Sequence, residues 1–241
     1  MQTPRSILIV DDEVDTCANL SDIFTDLGFE VGIAHDGVIA LELIRQRHYD
    51  VALLDLKMPG MDGLELYRRI KKLRAGTVAF IVTAYASDAT AQVALSAGAW
   101  RVLSKPVDSG ILLRLVEEAI DQPLVMIIDD DSDLCESLWD LFRENGLRVS
   151  LAHSISDAKS RLQEAHFNVA LIDMRLPEGD GSQIYKLVRE TNPRSRTVII
   201  TGHRSETEER VAKVLAAGAD AVCYKPFDVH ALLETVNKLA R

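Results

Sequence analysis

Two aspartates end apolar runs of the same shape, Val51-Ala52-Leu53-Leu54-Asp55 and Val169-Ala170-Leu171-Ile172-Asp173. Each is followed four residues later by a proline, Pro59 or Pro177, and then by Gly60-Met61-Asp62-Gly63 or Glu178-Gly179-Asp180-Gly181. A carboxylate at the end of a buried strand, before a turn shaped by Pro and Gly, is where α/β proteins place ligand chemistry. Other polar residues end the remaining apolar runs: Asp11-Asp12 and Asp129-Asp130, Thr83 and Thr201, Lys105 and Lys225. Gathered at one sheet edge, Asp11, Asp12 and Asp55 form one anionic pocket, and Asp129, Asp130 and Asp173 form another. Like charges so close raise one another's pKa unless a cation compensates. A crowded set of oxygen ligands suits Mg²⁺. Carboxylate nucleophile, hydroxyl donor, ammonium and Mg²⁺ together make a phosphoryl-transfer site with an aspartyl phosphate as its product.

These residues must be positioned by a fold that occurs twice. Asp11 and Asp129 differ by 118, as do Cys17 and Cys135, Phe24 and Phe142, Gly28 and Gly146, His35 and His153, Asp55 and Asp173, and Thr83 and Thr201. Gly98 and Gly218 differ by 120, as do Lys105 and Lys225, so the second copy has two extra residues between Thr201 and Gly218. The period far exceeds the ~20–50 residues of solenoid repeats, which makes this one domain in tandem, expected over residues 1–121 and 122–241.

Within the first copy, Ser6 to Val10, Glu30 to Ala34, Val51 to Leu54, Val78 to Val82 and the neighbourhood of Val102-Leu103 read as strands. Cys17, Leu20, Phe24 and Leu27 give the first helix one buried stripe, which Gly28 ends. Val38 to Arg45 and Leu64 to Leu73 read as further helices, and Asp108 caps a last one through Ile120. The second copy repeats this from Val125 to Ala240. Apolar strands alternating with amphipathic helices predict a parallel five-stranded sheet covered on both faces, a doubly wound α/β fold. Composition agrees, at 47% hydrophobic and 27% charged residues. Three cysteines argue against a disulfide framework, and the first residues lack a secretory apolar segment, so the chain reads as cytoplasmic. No apolar run is long enough to span a membrane. The net charge of −10 disfavours nucleic acid, and Arg68 to Arg74 reads as a solvated helix face. His35 and His153 read as surface or turn residues rather than metal ligands. Trp139, at the place of Ser21, fits either a partner surface or the flank of the core.

With the constellation complete in both halves, each copy resembles the response-regulator receiver domain of two-component signalling, a (βα)5 flavodoxin-like fold. The resemblance covers nearly the whole chain. It implies Asp55 as phosphoacceptor, with Asp11, Asp12, Asp55 and the Lys57 carbonyl as Mg²⁺ ligands, and Thr83 and Lys105 on the phosphoryl group. In the second copy it implies Asp173 as acceptor, Asp129, Asp130, Asp173 and the Arg175 carbonyl on Mg²⁺, and Thr201 and Lys225. It also implies cis Lys105-Pro106 and Lys225-Pro226. Val102 and Val222 stand where the family often has the aromatic residue that reports phosphorylation. Lys57, Arg175, Tyr85 and His203 stand where such domains set phosphoryl lifetime, and they differ between copies.

The function implied is a phosphoacceptor signalling protein rather than an enzyme. Its partners would be a sensor histidine kinase or histidine phosphotransfer protein and a downstream protein, with homodimerisation open. If the chain is the full product, with no effector segment after the second copy, output is expected through protein contacts or phosphorelay. A phosphorylation-independent scaffold, or a fragment of a hybrid kinase or larger regulator, would share these features. A haloacid-dehalogenase-type phosphohydrolase is set aside, because Lys57 and Arg175 occupy the place of its second aspartate.

Overall fold

The computed structural model describes residues 5–84, 87–177, 179–202 and 204–241, with the backbone alone for 204–208. The chain divides into two compact units, Met1–Gln122 and Pro123–Arg241. The first runs β1 (Ser6–Val10), α1 (Val14–Asp26), β2 (Glu30–Ala34), α2 (Gly37–Gln46), β3 (Val51–Asp55), α3 (Gly63–Leu73), β4 (Val78–Thr83), α4 (Asp88–Ser96), β5 (Arg101–Ser104) and α5 (Ser109–Ile120). Its strands are parallel, in the order β2-β1-β3-β4-β5. That is a doubly wound order, with its switch point between β1 and β3.

The sheet is buried on both faces, so its central strands read as unbroken apolar runs rather than alternating ones. Leu8, Val10, Ala52, Leu54 and Ile81 face Ala40, Ile44, Leu66, Ile70 and Ala94 of α2, α3 and α4. Ile7, Ile9, Leu53, Phe80 and Val82 face Cys17, Phe24, Leu112 and Val116 of α1 and α5. Leu27 corrects the expected stripe: it is the C-cap of α1 and is 49% exposed. The chain reverses at Gly28, whose φ of 82° is open to glycine. Phe29 then returns to the core, its N–H bonding Phe24 O and its ring meeting that of Phe24 edge-on at 5.3 Å.

The second unit runs β6 (Leu124–Ile128), α6 (Ser132–Glu144), β7 (Arg148–Ala152), α7 (Ile155–Glu164), β8 (Val169–Asp173), β9 (Arg175–Leu176), β10 (Gly179–Asp180), α8 (Gly181–Thr191), β11 (Arg196–Thr201), α9 (Arg204–Ala216), β12 (Ala221–Tyr224) and α10 (Val229–Ala240). Its five parallel strands repeat the order of the first sheet, β7-β6-β8-β11-β12. It departs from the first unit in two places. The expected glycine-rich turn carries a small antiparallel pair, Leu176 opposite Gly179 and Arg175 opposite Asp180. The extra residues fall where α9 extends over 13 residues against 9 in α4. No helix among the described residues is long and apolar enough to cross a membrane. Trp139 is buried, with Arg143 lying 5.9 Å over its ring.

Gly63 and Gly181 open the third helix of each unit, and each lies against the backbone of the aspartate that ends the third strand. A Cβ at Gly63 would collide with Asp55 O, and one at Gly181 with Asp173 O. Backbone on both sides cannot swing away as a flexible side chain would. Gly63→Ala and Gly181→Ala should each destabilise their own unit by about 1–3 kcal/mol, the usual cost of overpacking. Urea unfolding checks this, and a change below about 0.5 kcal/mol, the range of neutral surface substitutions, would contradict it.

Candidate functional site

Strand order and register bring the acidic residues together. β1 and β3 are adjacent with Val10 opposite Leu54, so Asp11 and Asp55 leave the same edge side by side. Asp11, Asp12 and Asp55 bring ligand atoms within 4.8 Å of one another, as do Asp129, Asp130 and Asp173. In each trio the outer two groups are buried (Asp11 and Asp55, Asp129 and Asp173), while Asp12 and Asp130 are exposed. Thr83 and Thr201 end β4 and β11 and are fully buried. Lys105 and Lys225 follow β5 and β12, their N–H groups bonding Thr83 O at 2.9 Å and Thr201 O at 2.8 Å. Both lysines precede cis prolines, as expected.

Asp11 accepts the Glu13 N–H on Oδ1 at 3.0 Å and the Lys105 ammonium on Oδ2 at 2.7 Å. The same ammonium is 3.5 Å from Asp55 Oδ2. In the second unit Asp129 accepts the Asp131 N–H at 3.0 Å, and Lys225 donates to both Asp129 Oδ2 and Asp173 Oδ2 at 2.6 Å. Lys57 and Arg175 reach the strand-end carboxylates through their N–H groups, Arg175 to Asp173 Oδ1 at 2.8 Å. Val102 and Val222 are half-buried against the core clusters of their units. Tyr85, His203 and Glu178 lie outside the described residues.

The charges do not balance. Three carboxylates against one ammonium (−3 + 1) leave each ionised site a formal −2. Burial pushes the Asp55 carboxyl above its ordinary value; the Lys105 charge pulls it back and the Asp11 charge pushes it further up. Burial likewise raises Asp129, against the hydrogen bonds from Lys225 and Asp131. Burial alone would lower the lysines, yet both are held above their usual value by their aspartate partners. One cation shared among carboxylates is well satisfied while each carboxylate is only partly so. An oxygen-only pocket with two negative charges to spare fits a hard divalent cation.

Sequence reasoning passed over two features of the site. Cys17 Sγ donates to Asp11 O at 3.3 Å and Cys135 Sγ to Asp129 O at 3.4 Å. Burial beside these aspartates pushes the thiols up to about 11 and about 12, so both stay protonated and able to donate. His35 and His153 are exposed turn residues as expected, but each sets Nδ1 3.2 Å from the same carbonyl. Recurrence at an offset of 118 was the one signal of these contacts. In the first unit a cavity of about 490 Å³ runs from Asp11, Asp55 and Lys105 to Leu20, Ile23 and Leu112, between α1 and the start of α5.

A doubly wound sheet with an acidic trio, a buried threonine and a lysine at its carboxyl edge is the arrangement that both units present. The family model "Response regulator receiver domain" matches residues 7–117 and again 125–237. A response regulator receiver protein of Anaeromyxobacter sp. (strain Fw109-5) is 34% identical over 237 residues, 98% of this chain and 96% of that protein. Transcriptional regulatory protein ZraR of Klebsiella oxytoca is 38% identical over 114 residues, 47% of this chain and 26% of that protein. A CheY-like response regulator receiver domain protein from Methanospirillum hungatei JF-1, known as a crystal structure, is 36% identical with a TM-score of 0.48, covering 49% of this chain and 95% of that one. The chain belongs to the response-regulator receiver family and carries two receiver domains in tandem.

The raised Asp55 value has a signed consequence. A carboxyl whose folded pKa lies above its unfolded one loses stability as pH rises from about 4, the ordinary aspartate value, through the raised value. In the absence of divalent cations, Asp55→Asn should therefore be more stable than wild type at neutral pH, and the gap should close below about pH 4, where both states are protonated. Urea unfolding across pH measures this; a wild type more stable than Asp55→Asn at neutral pH would contradict it.

Proposed function

We propose that the two receivers, residues 1–121 and 122–241, take phosphoryl groups on Asp55 and Asp173. The donor would be a sensor histidine kinase or a histidine phosphotransfer protein, in the cytoplasm. The observation that carries this reading is the pairing, in both units, of a carboxylate trio, two of its members buried, with a lysine hydrogen-bonded to it. A structural ion pair needs one carboxylate; two buried carboxylates sharing one ammonium beside a third carboxylate cost stability, and such clusters concentrate where chemistry uses them.

Asp11, Asp12 and Asp55, with the Lys57 carbonyl, would hold Mg²⁺ in the first unit, and Asp129, Asp130 and Asp173, with the Arg175 carbonyl, in the second. Bound there, the ion would neutralise charge on the phosphoryl oxygens. The Asp55 or Asp173 carboxylate oxygen attacks phosphorus, a P–O bond forms, and the bond to the donor's imidazole nitrogen or acyl oxygen breaks with its electron pair. Thr83 or Thr201 supplies a hydroxyl, and Lys105 or Lys225 an ammonium, to the transferred oxygens. The cavity beside α1 and α5 gives a donor protein apolar surface next to Asp55. Signalling then proceeds through protein–protein contacts. Val102 and Val222 lack the ring that reports phosphorylation in many receivers, so the read-out in both units runs through other residues.

The two sites should differ in rate. Lys225 holds Asp173 at 2.6 Å, whereas Lys105 stands 3.5 Å from Asp55, leaving Asp55 the freer nucleophile. Intact mass after incubation with Mg²⁺ and acetyl phosphate should show two added phosphoryl groups, with Asp55→Asn and Asp173→Asn each losing one. Asp55 should be filled first. No addition with acetyl phosphate or with phosphorylated histidine donors would overturn the reading.

A further inference from the structure

The histidines that recur at 35 and 153 are unused by the phosphoryl chemistry, yet both sit against the acidic pair. We infer that His35 and His153 are positioning residues that hold the main-chain carbonyl of Asp11 and of Asp129, and through it the convergence of the carboxylates on a divalent cation. The inference rests on the receiver-site reading above.

The geometry is the same in both units. His35 Nδ1 lies 3.2 Å from Asp11 O and His153 Nδ1 lies 3.2 Å from Asp129 O. A carbonyl oxygen has no proton to give, so each ring must carry its proton on Nδ1. The contact extends the parallel ladder. Val10 opposite Ala34 is the last strand pair, and Asp11 N–H still bonds Ala34 O at 3.2 Å. The imidazole of the next residue then returns a bond to Asp11 O. In the second unit Asp129 N–H bonds Ala152 O at 3.1 Å and His153 returns the bond. Cys17 and Cys135 approach the same carbonyls from the helix side, so both lone pairs of each oxygen are taken, one by the sheet edge and one by the helix.

The histidine's own loop is fixed. Asp36 caps α2 by accepting the Val38 and Ile39 N–H groups at 2.8 Å, and Ser154 caps α7 through the Asp157 N–H at 3.1 Å. The clamp therefore joins a rigid turn to the turn that aims the acidic pair. The first unit should lean on it more. Glu13, the N-cap of α1, makes no side-chain cap bond, whereas Asp131 caps α6 through the Asp133 and Leu134 N–H groups.

The test uses the full chain and Mg²⁺ alone. Long-range ¹H–¹⁵N spectra report the tautomer of each histidine, and amide shifts of Lys57 and Arg175 report Mg²⁺ binding at each site. Both rings should be Nδ1–H. His35→Ala should weaken Mg²⁺ binding in the first unit about tenfold, the low end of what outer partners of metal ligands contribute, with its melting temperature close to wild type. His153→Ala should cost the second unit a few-fold. His35→Asn should restore most of the affinity, because its Nδ2 is attached to Cγ as Nδ1 is and can donate to the same oxygen. Nε2–H tautomers, or equal Mg²⁺ affinity in wild type and His35→Ala, would overturn the proposal. A wild-type site that takes no Mg²⁺ counts against the receiver reading instead; the tautomer then decides the clamp, Nδ1–H sustaining it and Nε2–H overturning it.

Discussion

One ammonium among three carboxylates is the constraint on which each unit depends. In the first unit Lys105 reaches Asp11 directly and Asp55 at longer range; in the second Lys225 reaches Asp129 and Asp173 alike. The fold exists to hold this arrangement. Parallel strands deliver β1, β3, β4 and β5, and their counterparts β6, β8, β11 and β12, to one edge, so Asp, Asp, Thr and Lys converge from distant parts of the chain. The charged edge is carried by a sheet whose interior is apolar on both faces. Gly63 and Gly181 let the third helix start against the strand-end aspartate, which fixes that carboxylate from behind.

Most of this was legible in the sequence, for a physical reason. Strands buried on both faces need unbroken apolar runs, and site residues sit where those runs stop. Asp55 and Thr83 could be read off as the first polar residues after such runs and Lys105 as the residue just past the fifth strand, and duplication made each reading twice over. What escaped had no period to carry it. The segment Asp88–Ser96 is rich in Ala and buries only Ala94 among its nine residues, so it shows no apolar stripe although it is α4. The pair β9–β10 is two residues per strand, too short for alternation. Leu27 fits the helical spacing of Cys17, Leu20 and Phe24, but the chain has already begun to turn there. The bonds from His35 and Cys17 to the Asp11 carbonyl join a side chain to a main-chain atom, which no pattern of residue types encodes.

The two units are copies in architecture and not in detail. The lysine is shared more evenly in the second, the antiparallel pair β9–β10 follows Asp173, and Asp180 on β10 lies 3.4 Å from Arg210 of the longer α9. An exposed pair of this kind contributes little stability. It joins the loop after Asp173 to the helix that takes up the extra residues of the second copy.

Each site, short of positive charge, should take a divalent cation to restore it. Calorimetric titration of the whole chain with Mg²⁺ tests this most directly, on wild type, Asp12→Ala, Asp130→Ala and the double variant. These two aspartates are the exposed members of their trios, so their loss should leave the fold intact. Two ions per chain are expected, one in each single variant and none in the double. Wild type that binds no Mg²⁺, or a double variant that binds it as wild type does, would contradict it.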